Sequence, residues 1–436
     1  MMFAKYRHSD NPILPRMSPQ EMKGSFNIYS CFIELSYNEA DFINSINELK
    51  ITGIMDENFK TFVHEICHYR QFVGTSTGYF INQLRDIQFV LLNKAKEAIN
   101  KKQIKISYPF VNIIEELPQN DEYRELWEYI YFWYICEYIL SWIDNKFDIC
   151  TIIRESPFFN DLPIEYMYLI LQEYILNNFC PFDVKLDWDK SKQKEFFNIT
   201  RQATLNCGLN ELLESAAFIS ELWGSPHNFD MDYFFHDNLI SKNRIYTGLI
   251  DYFNSFTHID NILEFVLTYL TVCDLSLMSP LPFEYKELKN THNVNFWNCI
   301  PINRFYEIVS QLKNIEPVHN VNDYDRFVKQ VCRNLEWFTP FEMIHYTKIR
   351  DKKPYFSYHY DLALNFRRER QNIFINMGVL NPEIQSKDFF SQNFNNCFLP
   401  PSIKFKDKEV KNTKKVTILN QRKENYFQLR KQFLSG

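Results

Sequence analysis

Glycine is scarce in this chain, with nine in 436 residues, where an average usage of about 7% would give roughly thirty. Loops that cradle phosphate need clustered glycines so that the backbone can approach the anion. Neither GxGxxG nor GxxxxGK[ST] occurs, which sets aside the dinucleotide and P-loop nucleotide folds. Close cysteine pairs are missing too. The ten cysteines (Cys31, Cys67, Cys136, Cys150, Cys180, Cys207, Cys273, Cys299, Cys332 and Cys397) lie far apart with no CxxC, unlike a disulfide scaffold or a zinc ribbon. The opening residues MMFAKYRHSDNPILP lack the apolar core of a secretory signal. The best candidate for a membrane span, Leu126 to Ile143, is interrupted by Glu128 and Glu137 and is rich in aromatics. It therefore reads as a buried helix. These absences lead to the expectation of a soluble, cytoplasmic protein with reduced thiols and no membrane contact.

What is abundant is aromatic: Phe 41 and Tyr 26, with aromatics at 17% against a normal 23% of charged residues. Such a chain packs a core and does not stay disordered. The formal net charge of −6 is unevenly spread. Residues 401–436 hold ten Lys/Arg against three Asp/Glu, a net +7, which leaves −13 on the remainder. Nucleic-acid binding is therefore disfavoured except through the basic tail. A second basic run, Arg367-Arg368-Glu369-Arg370, could take phosphate or an acidic partner.

Residues 26–35 (FNIYSCFIEL) read as strand from their β-branched and aromatic content. They could offer an edge that pairs with an extended peptide. Asp56 is the expected N-cap of a helix over 57–73, and Gly74 and Gly78 then punctuate before a long helix over 79–101. Further amphipathic helices fit 122–145, 162–178, 208–223, 259–278, 302–314 and 322–337. Ser279-Pro280-Leu281-Pro282 cannot continue a helix and marks a boundary near 280–300. The fold class is mainly α with a small β element, an α+β chain.

The sharpest motif is His64-Glu65-Ile66-Cys67-His68, an HExxH. Chance would supply about 0.03 such matches in a chain of this composition. Helical spacing of i, i+4 puts both imidazoles on one face, close enough to share a Zn²⁺ ion. The Glu between them reaches a water on that ion and accepts its proton. The helix passes a test by angle. Phe59, Phe62, Val63, Ile66 and Val73 fall within a stripe about 100° wide, with His64 and His68 roughly 140–180° from Phe59. That placement argues against the two histidines being ordinary core residues.

Two imidazoles and a water leave such a site one protein ligand short. The segment 208–224 (GLNELLESAAFISELWG) reads as a helix with apolar stripe Leu209, Leu212, Leu213, Ala216, Ile219 and Trp223, and Glu211, Glu214 and Glu221 on its other side. The pairing of His64 and His68 with a downstream helical Glu resembles the gluzincin branch of zinc metallopeptidases. In that branch an E-[GS]-x-A context surrounds the third ligand, and Glu214-Ser215-Ala216-Ala217 matches it. A thermolysin-like N-E-x-x-S reading would select Glu211 instead, from Asn210-Glu211, although Glu214 then stands where Ser is expected. Glu221, two turns after Glu214, could orient a ligating His. The metzincin continuation is absent, because Gln71 occupies its glycine position and Gly74 its third-histidine position. The resemblance is confined to 59–78 and 208–224, and the 145 residues between His68 and Glu214 imply a helical insertion.

The resemblance implies a zincin-like catalytic core with a large helical insertion and a C-terminal extension. The expected organisation is a metallopeptidase region over 1–280 with its insertion at about 105–205, a mainly helical region over 281–400, and the basic tail over 401–436. The expected activity is endopeptidase hydrolysis of a protein or peptide substrate, with Zn²⁺ held by His64, His68 and Glu214 (Glu211 as the alternative) and Glu65 as general base. Two other readings stay open: a partner-binding subunit that retains a zinc site without catalysis, and a zinc amidohydrolase acting on non-peptide amides. A regulatory protein partner is a further expectation. For the group that stabilises the oxyanion, His227, His236, His345, Tyr346, His359 and Tyr360 are all candidates.

Overall fold

Asp56 opens the helix that carries the motif. Its side chain accepts from the Phe59 backbone N–H at 2.8 Å, which satisfies one of the free amides of the first turn. In this computed structural model, residues 23–27, 31–104, 121–143, 207–222, 244–278, 300–340, 342 and 402–411 are described. Among them the chain is mostly helical with one small sheet. The helices are α1 (Glu39–Thr52), α2 (Glu57–Gly74), α3 (Ser76–Lys102), α4 (Arg124–Ile143), α5 (Leu209–Leu222), α6 (Arg244–Phe256), α7 (Ile262–Leu277), α8 (Pro301–Gln311) and α9 (Tyr324–Leu335). The helices expected at 57–73, 79–101, 122–145, 208–223, 259–278, 302–314 and 322–337 all have counterparts. Helices α1 and α6 were not foreseen, and the helix expected at 162–178 lies outside the described residues.

The sheet has four strands: β1 (Gly24–Asn27), β2 (Phe32–Leu35), β3 (Ser402–Lys404) and β4 (Glu409–Lys411), in the order β1-β2-β3-β4. The run 26–35 is therefore not one strand, as expected, but parts of two strands paired antiparallel with Gly24 opposite Leu35 and Asn27 opposite Phe32. Cys31, at φ 56°, takes the left-handed conformation at the start of the returning strand and donates its N–H to the Asn27 carbonyl at 2.7 Å. A left-handed residue cannot sit within an extended run. The strand pattern on either side was legible, but the reversal was not.

The basic C-terminal segment begins inside this sheet. Strand β3 pairs parallel to β2, with Ile33 opposite Ile403 and Glu34 opposite Lys404. Phe405 packs 5.5 Å from Phe42, and Asp407 Oδ1 accepts from the Glu39 N–H at the start of α1 at 3.0 Å. Two of the segment's cations already face acids of the body: Lys404 lies 3.4 Å from Glu34, and Lys408 contacts Glu39. Residues 412–436 and Arg367 to Arg370 lie outside the described residues.

The core explains why the motif helix is held rigidly. Phe59 and Phe62 of α2 pack around Phe42 of α1, with centroids 6.0 and 4.9 Å away, and burying each contributes about 1.5–3 kcal/mol. Beneath lies α7, buried at every residue from Phe265 to Leu277. A helix apolar on all sides belongs in the centre of a large core. Arg304 of α8 donates to the Leu275 carbonyl at 3.2 Å, and the Tyr324 hydroxyl of α9 donates to Asp274 at 2.6 Å. Helix α4, the apolar stretch of the sequence, packs along α3 with Leu126, Ile130, Trp133 and Cys136 buried. No helix among the described residues is long and apolar enough to cross a membrane.

The corner between α2 and α3 depends on a glycine. Thr75 Oγ1 accepts from the Gly78 N–H at 3.0 Å, so the first turn of α3 starts against the last turn of α2. A Cβ on Gly78 would lie 2.2 Å from the Gln71 carbonyl oxygen and 2.4 Å from the Phe72 Cα. Only a residue without a side chain permits so close a backbone approach.

Candidate metal centre

Helix α2 is sandwiched. Its aromatic stripe faces α1 and the core, as the angular reading expected. The opposite face, where the histidines project, is covered by α5, so it is not a solvated face: His68 is buried and His64 nearly so. Glu214 of α5, also buried, faces both rings. His64 Nε2 lies 3.3 Å from Glu214 Oε2 and His68 Nε2 lies 3.6 Å from Glu214 Oε1, while the two Nε2 atoms are 3.1 Å apart. Ligands on tetrahedral bonds of 2.0–2.1 Å stand about 3.3–3.4 Å from one another. The observed separations bracket that edge length, and His64, His68 and Glu214 form a group that could hold a metal ion.

The far side of each ring is occupied. His64 Nδ1–H donates to Glu221 Oε1. His68 Nδ1 lies 2.8 Å from Gln71 Oε1, and Gln71 Nε2 donates to the Leu213 carbonyl at 2.9 Å. Because a carbonyl can only accept, the amide must present its oxygen to His68, so His68 carries its proton on Nδ1. Both rings therefore turn Nε2 toward Glu214 and toward each other. Two nitrogen lone pairs facing at 3.1 Å repel unless a cation, either a proton or a metal ion, lies between them. The donor set fits a metal.

The electrostatics agree. Burial works against a charge on His64, but the Glu221 charge, hydrogen bonds to Glu214 and Glu221, and the charge of Glu65 outweigh it and hold the imidazole well above its usual range. Burial would raise Glu214, yet His68 and His64 together hold its carboxyl well below the usual carboxylate range. Burial pushes Glu65 up, assisted by the charges of Glu214 and Glu221 and opposed by the two histidines. A carboxylate so raised is a better proton acceptor near neutrality. Strand β1 runs past Glu65: a Cβ on Gly24 would come 3.0 Å from Glu65 Cγ and 3.1 Å from its Oε1.

The alternative ligand, Glu211, is directed elsewhere. Its Oε2 accepts from the Gly208 N–H at 2.7 Å, capping the start of its own helix. The six histidines and tyrosines considered for the oxyanion lie outside the described residues, as do Trp223 and Gly224 at the end of the carboxylate helix. Sequence reasoning missed two residues. Gln71 stands at i+3 from His68, a spacing that places it on the same face, but it was noted only as a departure from another motif. Tyr246 of α6 lies with its ring 6.4 Å from that of His64 at 66°, and no local pattern marked it. Burial, with the charges of Glu214, Glu221 and Glu65 and against that of His64, pushes its phenol up to about 12.

Comparison with models of protein families finds no match, and neither the curated proteins nor the solved structures provide one. The functional reading therefore rests on the site alone.

Proposed function

We propose that this protein is a zinc-dependent peptidase with a gluzincin-like core. The observation that carries the reading is the convergence of His64 Nε2, His68 Nε2 and the Glu214 carboxylate, with each ring fixed from behind by Glu221 or Gln71. A zinc ion in that group would supply Lewis acidity and lower the pKa of a water to about 7. Glu65 stands one residue after His64 on the same helix and accepts the proton as the water attacks a carbonyl carbon. Its raised affinity for protons suits it to carry that proton on to the leaving amine. Glu221 and Gln71 orient the imidazoles. Strand β1, at one edge of the sheet among the described residues, passes beside Glu65. An extended peptide pairing with it would lie next to the base, which favours a peptide over a small amide. The described cysteines are thiols and not disulfides, in keeping with a reducing, cytoplasmic setting.

Metal analysis of the purified protein, beside Glu65→Gln, tests the reading. About one zinc per chain is expected in both proteins. Digestion of denatured casein is expected from the wild type alone, with the variant down at least about 10²-fold, the scale of a lost general base. A wild type without stoichiometric metal would sink the proposal. Bound zinc with no peptide cleavage would turn the reading toward the amidohydrolase.

A further inference from the structure

The Glu214 carboxylate reaches the two imidazoles from another helix, so the rotation of α5 about its own axis decides whether the three groups meet. A helix side chain ends about 5–6 Å from the axis, so a rotation of about 10° carries that end about 1 Å. Metal–ligand distances hold to about 0.2 Å. Apolar packing is non-directional and does not set a rotation so finely. Directional contacts are present on both sides of Glu214. From α2, Gln71 Nε2 donates to the Leu213 carbonyl at 2.9 Å. From α7, which also packs against α5, the Tyr269 hydroxyl lies 2.7 Å from Ser215 Oγ. Ser215 follows Glu214 directly and stands about 100° further round the helix. Its hydroxyl proton points to the Leu212 carbonyl at 3.3 Å, and a hydroxyl has one proton to give. Tyr269 is therefore the donor of the pair.

Resting on the metal-binding part of the reading above, we infer that Tyr269 is a positioning residue: through its hydrogen bond to Ser215 it fixes the rotation of α5 that aims Glu214 at the metal. Both hydroxyls are fully buried, so the bond does not compete with water and keeps its strength. The phenol ring is itself held. Phe253 and Phe305 meet it edge-on at 5.2 and 5.9 Å, and Phe265 stacks on it at 6.4 Å. The donor therefore has a fixed origin in the central helix, and the turn from Leu212 to Ser215 is tied at Leu213 to α2 and at Ser215 to α7. Glu214 lies between those two anchors. Tyr269 acts on the metal only through Ser215, so its effect must vanish when the Ser215 hydroxyl is absent.

That dependence gives the test. Tyr269→Phe keeps the ring and removes the donor, and Ser215→Ala removes the acceptor. Zn²⁺ affinity of the full chain is measured by chelator competition at a temperature where helix content matches wild type. Each single variant should bind Zn²⁺ about tenfold more weakly, the low end of the loss when a ligand's orienting partner is removed. Tyr269→Phe/Ser215→Ala should bind no more weakly than the single variants, because both changes break one bond. The visible bands of bound Co²⁺, which follow coordination geometry, should shift in the same variants. Wild-type affinity in both single variants would overturn the inference and make the pair a packing contact. Losses that multiply in the double variant would also overturn it, since the two hydroxyls would then act separately. If Tyr269→Phe does not fold, Ser215→Ala decides alone: a tenfold loss with an altered Co²⁺ spectrum supports the role, and wild-type values overturn it. A wild type that binds zinc and cleaves no peptide removes the peptidase reading, and the affinity comparison still decides the role of Tyr269. A wild type that takes up no metal overturns both.

Discussion

Gln71 shows how one side chain can serve two elements. Its oxygen fixes the tautomer of His68 and its nitrogen holds the carbonyl of Leu213, the residue before Glu214. The same amide therefore orients one candidate ligand on α2 and ties α2 to the turn of α5 that carries another. Groups that orient metal-binding histidines typically account for 10–100-fold of metal affinity. Gln71→Leu should weaken zinc binding by about that factor in a chelator competition, with helix content unchanged. Undiminished affinity would show that His68 needs no orienting partner. Glu221 plays the corresponding part for His64, with a charge where Gln71 has none.

At the scale of elements, the site exists because α2 is held from two sides. Phe42, Phe59 and Phe62 lock its outer stripe, and α5 covers its histidine face. The corner at Gly78 fixes where α2 ends and α3 begins. Gly78→Ala would drive a Cβ to 2.2 Å from the Gln71 carbonyl oxygen, so the two helices must separate. Overpacking of this kind costs about 1–3 kcal/mol, and more when backbone is the obstacle. Urea unfolding should show the loss as a lower midpoint. Because Gln71 belongs to the displaced turn, zinc affinity should fall with it. An unchanged midpoint would mean that the corner relaxes without strain.

Across the whole molecule, the aromatic and cysteine-rich core makes stability sensitive to alkaline pH. Burial pushes the phenols of Tyr37 and Tyr269 and the thiol of Cys273 well above their usual values, and Cys332 up to about 12. Below about pH 8.5, the ordinary thiol value, both folded and unfolded chains keep these protons, and the full contribution to stability is present. Above it the unfolded chain releases protons that the folded chain retains. Stability then falls, by about 1.4 kcal/mol per pH unit for each group passed. The thiols act from about pH 8.5 and the phenols from about pH 10. The urea midpoint should therefore drop steeply between pH 8 and pH 10.5, and equal midpoints would contradict the burial of these groups.

Local geometry made much of this protein legible in its sequence. Helical spacing alone puts His64 and His68 on one face and the stripe of Phe59, Phe62 and Ile66 on another, because 3.6 residues per turn holds wherever the helix forms. The Asp56 cap and most helix positions followed from the same short-range rules, and the scarcity of glycine excluded the phosphate-binding loops. Tertiary structure decided what depends on segments far apart in the chain. It turned Glu214 toward the imidazoles and left Glu211 to cap its own helix, a difference set by the rotation of α5 against α2. It folded 26–35 back on itself through the left-handed Cys31, and brought 402–411 beside β2 through pairing that no nearby residue encodes. It also carried Tyr246 to His64 across 181 intervening positions. Periodicity describes which face a residue takes on its own helix. What that face meets is settled by long-range packing, and in this chain the meeting of α2 and α5 assembles the group of His64, His68 and Glu214 that could hold a metal ion.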